Sequence, residues 1–180
     1  MKQIYLFLGL IALILTFSSC KDESQVEDSE LNSNTENTTS TEDLGDFVAF
    51  DLRPYELNAT LLVPKNERAT ILHQLDTYVW DLKMGKQTYI TILDWGTKDG
   101  FENYLEKLEN HVETVDFIEK EKNFIIYTLT TGTSKVTYHT AAQYQIEGIN
   151  YLFESSSNGL SKDGVEDAVL SVKSVEGIKD

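Results

Sequence analysis

The chain has 180 residues, one cysteine, and 30 acidic side chains against 15 basic ones, for a formal net charge of −15. That balance excludes a nucleic-acid binder, because holding phosphates needs a basic face and the sequence supplies none; docking on anionic headgroups is disfavoured for the same reason. A lone cysteine allows no internal disulfide, so the fold must rest on its apolar core, and the length is sufficient for one domain plus a tether.

In chain order, a charged start (Met1-Lys2-Gln3) leads into an apolar run from Ile4 to Phe17 and then Ser18-Ser19-Cys20. These are the three parts of an export signal, placed at residues 1–19. The run stops short of the roughly 20 apolar residues that a spanning helix needs. An uncleaved anchor, or an ordinary signal with an incidental cysteine, are the alternatives. Phe17-Ser18-Ser19-Cys20 resembles the lipobox of bacterial lipoproteins, with Phe17 where that family usually has leucine. The resemblance implies cleavage before Cys20, N-acyl and S-diacylglycerol groups on Cys20 with no other cofactor, and a lipid anchor in the bacterial outer membrane. Lys21-Asp22-Glu23 resembles the short sorting signal that sends some Gram-negative lipoproteins to the cell surface. Read instead as the start of an acidic tether, it leaves the periplasmic face open.

Between Lys21 and Asp46 stand nine acids (Asp22, Glu23, Glu27, Asp28, Glu30, Glu36, Glu42, Asp43, Asp46) against Lys21 alone, a net of −8. The segment has no aromatic residue and few aliphatics, so it buries too little apolar surface to offset its ordering entropy. Residues 20–46 are therefore expected to form a lipidated, disordered acidic tether, and residues 47–180 a single globular domain. That domain also carries −8, with its acids and bases interleaved.

Past Asp46, aromatic and β-branched residues become frequent and periods of two appear. Strands are expected at Phe47–Leu52 and Leu57–Val63, broken by Arg53-Pro54 and closed by Pro64, then at Ala69–Leu75 and Thr77–Lys83. Met84-Gly85-Lys86 turns the chain into Gln87–Trp95, whose apolar residues on both faces mark a central strand. Thr97–Val112 has the helical period, with Phe101, Tyr104, Leu105, Leu108 and Val112 on one stripe. Strands resume at Val115–Glu119 and Asn123–Thr130. Lys135–Ile146 alternates like a half-buried strand and joins Ile149–Ser155 through the tight turn Glu147-Gly148. A last helix spans about Ser161–Ser174, with Val165, Ala168, Val169 and Val172 inward. The two helices open alike, Thr97-Lys98-Asp99-Gly100-Phe101-Glu102 and Ser161-Lys162-Asp163-Gly164-Val165-Glu166, which predicts shared capping chemistry.

The order predicts an α+β fold, a mainly antiparallel sheet flanked by two helices. Over about Phe47 to Ile178 this layout resembles the PsbP-like sandwich, which implies an accessory or binding domain; no functional residue carries over, because the resemblance is one of layout alone.

No nucleophile elbow, P-loop or dinucleotide fingerprint occurs. His73, His111 and His139 lie in different elements with no ligand spacing around them, and Asp94–Gly100 and Asp163–Asp167 lack the alternating oxygens of a calcium loop, so no metal site is expected. Among the aromatics Tyr78, Trp80, Tyr89, Trp95, Tyr138, Tyr144 and Tyr151, the first four are candidates for lining a binding groove; packing within the sheet is the competing account. The leading functional reading is a non-catalytic envelope lipoprotein whose domain binds a protein or an envelope component. The alternative is an envelope hydrolase of sugar or peptide, whose sign would be polar residues converging in an aromatic-lined cleft.

Overall fold

The computed structural model describes residues 45–179 except 75, 76 and 133. The expected signal segment 1–19, the lipid site Cys20, the sorting residues Lys21, Asp22 and Glu23, and the tether up to position 44 lie outside the described residues. Gly45 and Asp46 form a turn into the first strand; the Lys65 backbone N–H donates to the Asp46 carbonyl at 2.8 Å, and its ammonium to the Gly45 carbonyl at 2.7 Å.

The fold is α+β, with every strand pairing antiparallel. In chain order the elements are β1 (Phe47–Asp51), β2 (Ala59–Pro64), β3 (Ala69–Gln74), β4 (Val79–Met84), β5 (Gln87–Gly96), α1 (Phe101–Glu109), β6 (Thr114–Lys120), β7 (Phe124–Thr130), β8 (Val136–Ile146), β9 (Ile149–Ser155), α2 (Lys162–Lys173) and β10 (Glu176–Gly177). A seven-stranded sheet runs β3-β4-β5-β9-β8-β7-β6, and a small sheet runs β1-β2-β10. Arg53-Pro54-Tyr55 makes the 3₁₀ turn that folds β1 back on β2, with proline's fixed φ at its start.

Each face of the large sheet has its own core. On one face Trp80, Leu82, Ile90, Ile92, Ala142 and Phe153 pack with Ala168 and Val172 of α2 and with Leu61 and Val63 of the small sheet. On the other, Ile125, Tyr127, Ala141 and Leu152 pack under Phe101 and Leu108 of α1. Fully burying one such side chain is worth roughly 1.5–3 kcal/mol, so these two layers dominate the stability.

Several sequence expectations hold. β5 is an interior strand between β4 and β9, and Glu147 (φ 51°) with Gly148 (φ 83°) makes the two-residue hairpin linking Ile146 to Ile149. A turn with positive φ at both positions matches the right-handed strand twist.

Other expectations are corrected. The first helix starts at Phe101 instead of near Thr97 and ends at Glu109, and Val112, expected on its inner stripe, is fully exposed. Asn110 closes that helix, and the His111 N–H reaches the Leu108 carbonyl in a tightened last turn, so the helical period no longer applies at Val112. β8 is buried on both faces from His139 to Gln143, because α2 lies over one side and the α1 layer over the other. Thr77 and Tyr78 form a turn, with Tyr78 left-handed at φ 54°, so β4 begins at Val79. β10 pairs with only two residues of β2, too short to leave a periodic signal.

Candidate functional site

The site is built where α2 leaves part of the sheet uncovered. Val165, Ala168 and Val172 bury one stripe of the helix, while Leu170 projects beyond that stripe and stays 53% exposed. Beside it the outer strands present apolar residues on the same face. Ile126 of β7 lies half-buried against the α2 core, and Tyr138 of β8 is pinned by a bridge to Leu160, each N–H donating to the other's carbonyl at 3.1 and 2.9 Å. β6 adds Ile118 through a bulge. Its register passes from Phe117↔Tyr127 to Glu119↔Ile126, so Ile118 is the inserted residue, 60% exposed. Bulges recur where a strand re-aims a side chain toward a site.

Ile118, Ile126, Tyr138, Val165, Val169 and Leu170 line a groove of about 390 Å³, with Lys162 and Glu166 on its rim. At one end a Lys173–Glu119 ion pair of 3.0 Å ties α2 to β6, and the Lys173 ammonium also lies 4.1 Å from the Phe124 ring centre. Hydrogen bonding to Lys173 holds the Glu119 carboxyl below its ordinary range. The groove therefore offers apolar area with charge only at its edges.

A second, larger cleft of about 740 Å³ lies between the 66–68 loop, the turn at Gly85 and the first turns of α2. Its lining mixes Glu67, Arg68, Lys86 and Asp167 with Met84 and Tyr89. The Tyr89 hydroxyl is 3.1 Å from that of Ser171, which lies 3.1 Å from the Asp167 carbonyl, and burial raises the Tyr89 pKa.

Beneath α1 sits a cluster of buried titratable groups. Tyr104 donates to the Glu154 carboxylate at 3.0 Å and lies 3.4 Å from the Tyr127 hydroxyl. Burial pushes Tyr127 up to about 12, raises Tyr104 well above the ordinary phenol range, and raises Glu154 above the usual carboxylate range. His139 stacks on Tyr127 with centroids 5.0 Å apart, and burial pushes it down to about 4, so it is neutral at pH 7.

The four candidate aromatics do not line one groove. Trp80 is buried, its indole N–H donating to the Tyr55 carbonyl at 2.7 Å and its ring stacked 4.6 Å from His73. Tyr89 is in the same core, Trp95 packs on the opposite face 6.1 Å from Tyr104, and Tyr78 is 64% exposed on its turn. His73 and His139 stand on opposite faces of the sheet, and His111 is exposed. Among the described residues no group of three or more His, Cys, Asp or Glu is arranged to hold a metal ion, and no helix is long and apolar enough to cross a membrane. The sequence did point to Tyr138 as an aromatic on an alternating strand. Ile118 and Leu170 gave no signal, because neither a bulge nor the uncovered flank of a helix is written in local periodicity.

No protein-family model matches the chain, and no curated protein matches it.

Proposed function

We propose that this protein is an outer-membrane lipoprotein, anchored through N-acyl and S-diacylglycerol groups on Cys20, whose domain binds a protein partner in a non-catalytic, accessory role. The observation that carries the binding reading is the groove between α2 and β6–β8, with Ile118 and Leu170 more than half exposed at its lip. Contiguous apolar surface rimmed by polar residues marks sites of association. Its occupant is an apolar-faced segment of another envelope protein, laid along α2 in the manner of a helix in a groove. The domain carries −8, so basic residues beside the apolar stripe of that segment would complement it. Where Lys21-Asp22-Glu23 acts as a sorting signal the anchor is carried to the cell surface; where it only begins the tether, the domain faces the periplasm.

A photo-crosslinking residue at position 170, in the full-length protein in intact cells, tests the groove. One discrete adduct, lost when Ile118→Asp is added, is the expected result; an adduct unchanged by I118D, or none, overturns it. The anchor is tested separately by Cys20→Ser, which should move the protein from the membrane fraction to the soluble one. Continued pelleting with membranes would remove the lipid from the account.

A further inference from the structure

The two edges of the large sheet are built differently. β6 carries Asp116, Glu119 and Lys120 and is interrupted by the Ile118 bulge, the usual devices that keep an exposed edge from pairing. β3, with the sequence Ala69-Thr70-Ile71-Leu72-His73-Gln74, has no charge, no proline and no bulge, and pairs with β4 over six consecutive positions. The Arg68 carbonyl accepts the Gly85 N–H at 3.3 Å, and antiparallel bonds alternate. Thr70 and Leu72 therefore bond toward β4, and the backbone N–H and C=O groups of Ala69, Ile71 and His73 point away from the sheet.

We propose that β3 is a self-pairing edge, through which two copies of this chain join their large sheets into one continuous antiparallel sheet about a two-fold axis at Ile71. The register follows from the geometry. A two-fold axis perpendicular to the sheet keeps like faces together, so residues pair with partners of the same parity. Centring on Ile71 sets Ala69 opposite His73 and Ile71 opposite itself, which satisfies all three outward-pointing residues of each strand with main-chain bonds. The same register sets Thr70 opposite Leu72 of the other copy. Leu72, now 48% exposed, gains a β-branched cross-strand neighbour. A second copy is the favoured occupant because a two-fold join sets the strand against its own sequence, and β3, with no Asp, Glu, Lys or Arg, brings no like charges together there. Such an interface is small and weak in dilute solution. Confinement of both copies to one membrane would raise their effective concentration.

The test reads the register directly in the full-length protein in its own membrane. Two tagged forms are co-expressed, one Thr70→Cys and one Leu72→Cys, both at exposed positions. Opposite residues in a non-hydrogen-bonded pair lie about 4.5 Å apart at Cα, within disulfide reach. Mild oxidation should link the two forms at least tenfold more than it links T70C to itself, and an added Leu72→Lys in the T70C form, setting a bulky charge beside the join, should lower the yield. Linkage of T70C to itself as readily as to L72C, no linkage at all, or linkage of either form to a different protein would each overturn self-pairing.

Discussion

α1 and α2 open with almost the same six residues, yet they start in different places. In α2, Ser161 is the N-cap and its hydroxyl accepts the Gly164 N–H at 3.1 Å, so Lys162, Asp163 and Gly164 are already helical. In α1 the matching Lys98, Asp99 and Gly100 precede the helix. Gly100 packs against the Trp95 ring so closely that a Cβ there would stand 2.8 Å from Cε3, and its N–H donates to the Gln143 side chain at 3.2 Å. A contact to β5 and β8 thus overrides a cap that works in α2. The faces they cover differ as well. The α1 side buries Glu154, His139, Tyr104 and Tyr127, whereas α2 meets two separate phenols, Tyr89 beside Ser171 and Tyr144 donating to the Val172 carbonyl at 2.8 Å, and leaves Leu170 in solvent.

The largest expected effect attacks the α1 layer. Phe101→Ala, at a residue 1% exposed, should cost about 3–5 kcal/mol of unfolding free energy. Leu170→Ala on α2 should cost under about 0.5 kcal/mol. Denaturant midpoints at constant m would check both, and equal losses would erase the distinction between the helices.

Next comes pH. The folded pKa of His139 is depressed from 6.5 to about 4, so the unfolded chain takes up its proton first. Its contribution is complete above pH 6.5 and is lost as pH falls toward 4, by about 3 kcal/mol. Glu154 is raised, so it acts in the opposite sense, and its contribution fades as pH rises through its folded pKa. The difference in stability between wild type and His139→Gln, followed from pH 7 to 4, should carry the histidine slope alone. A flat difference would mean that His139 is hydrated.

Smaller effects sharpen the contrast between the two openings. Gly100→Ala should destabilise by about 1–3 kcal/mol, since the Trp95 ring must move. Gly164→Ala should stay within about 1 kcal/mol, its gain in helix propensity offset by a Cβ 3.1 Å from the capping oxygen. Ser161→Ala should cost about 1 kcal/mol, while Thr97→Ala should cost almost nothing, because Thr97 caps no helix. Thermal melts of the four variants would rank them, and a matching loss in T97A would restore the shared-cap account.

Much of the frame was legible in the sequence because it depends on neighbours along the chain. The apolar richness of β5, the positive-φ turn at Glu147-Gly148, the cap at Ser161 and the inward positions of α2 all follow from local periodicity and turn chemistry. The helix stripe failed at Val112 for a physical reason: periodicity continues on paper after Asn110 has already ended the hydrogen-bond ladder. β8 read as half-buried because alternation reports side-chain type, while the layers above each face decide burial. The groove was illegible, since Ile118, Tyr138 and Leu170 come from three elements whose proximity is set by strand order and a bulge.

By itself the sequence determined the α+β class, the antiparallel strand succession and most turn positions, because these rest on contacts between residues close along the chain. Tertiary structure alone decided which aromatics entered the core, where α1 begins, which carboxyl group is buried with a tyrosine pair, and which strand forms an edge of the large sheet. Those outcomes depend on packing between distant segments, where exclusion of water and the finite volume of a ring such as Trp95 outweigh local preference.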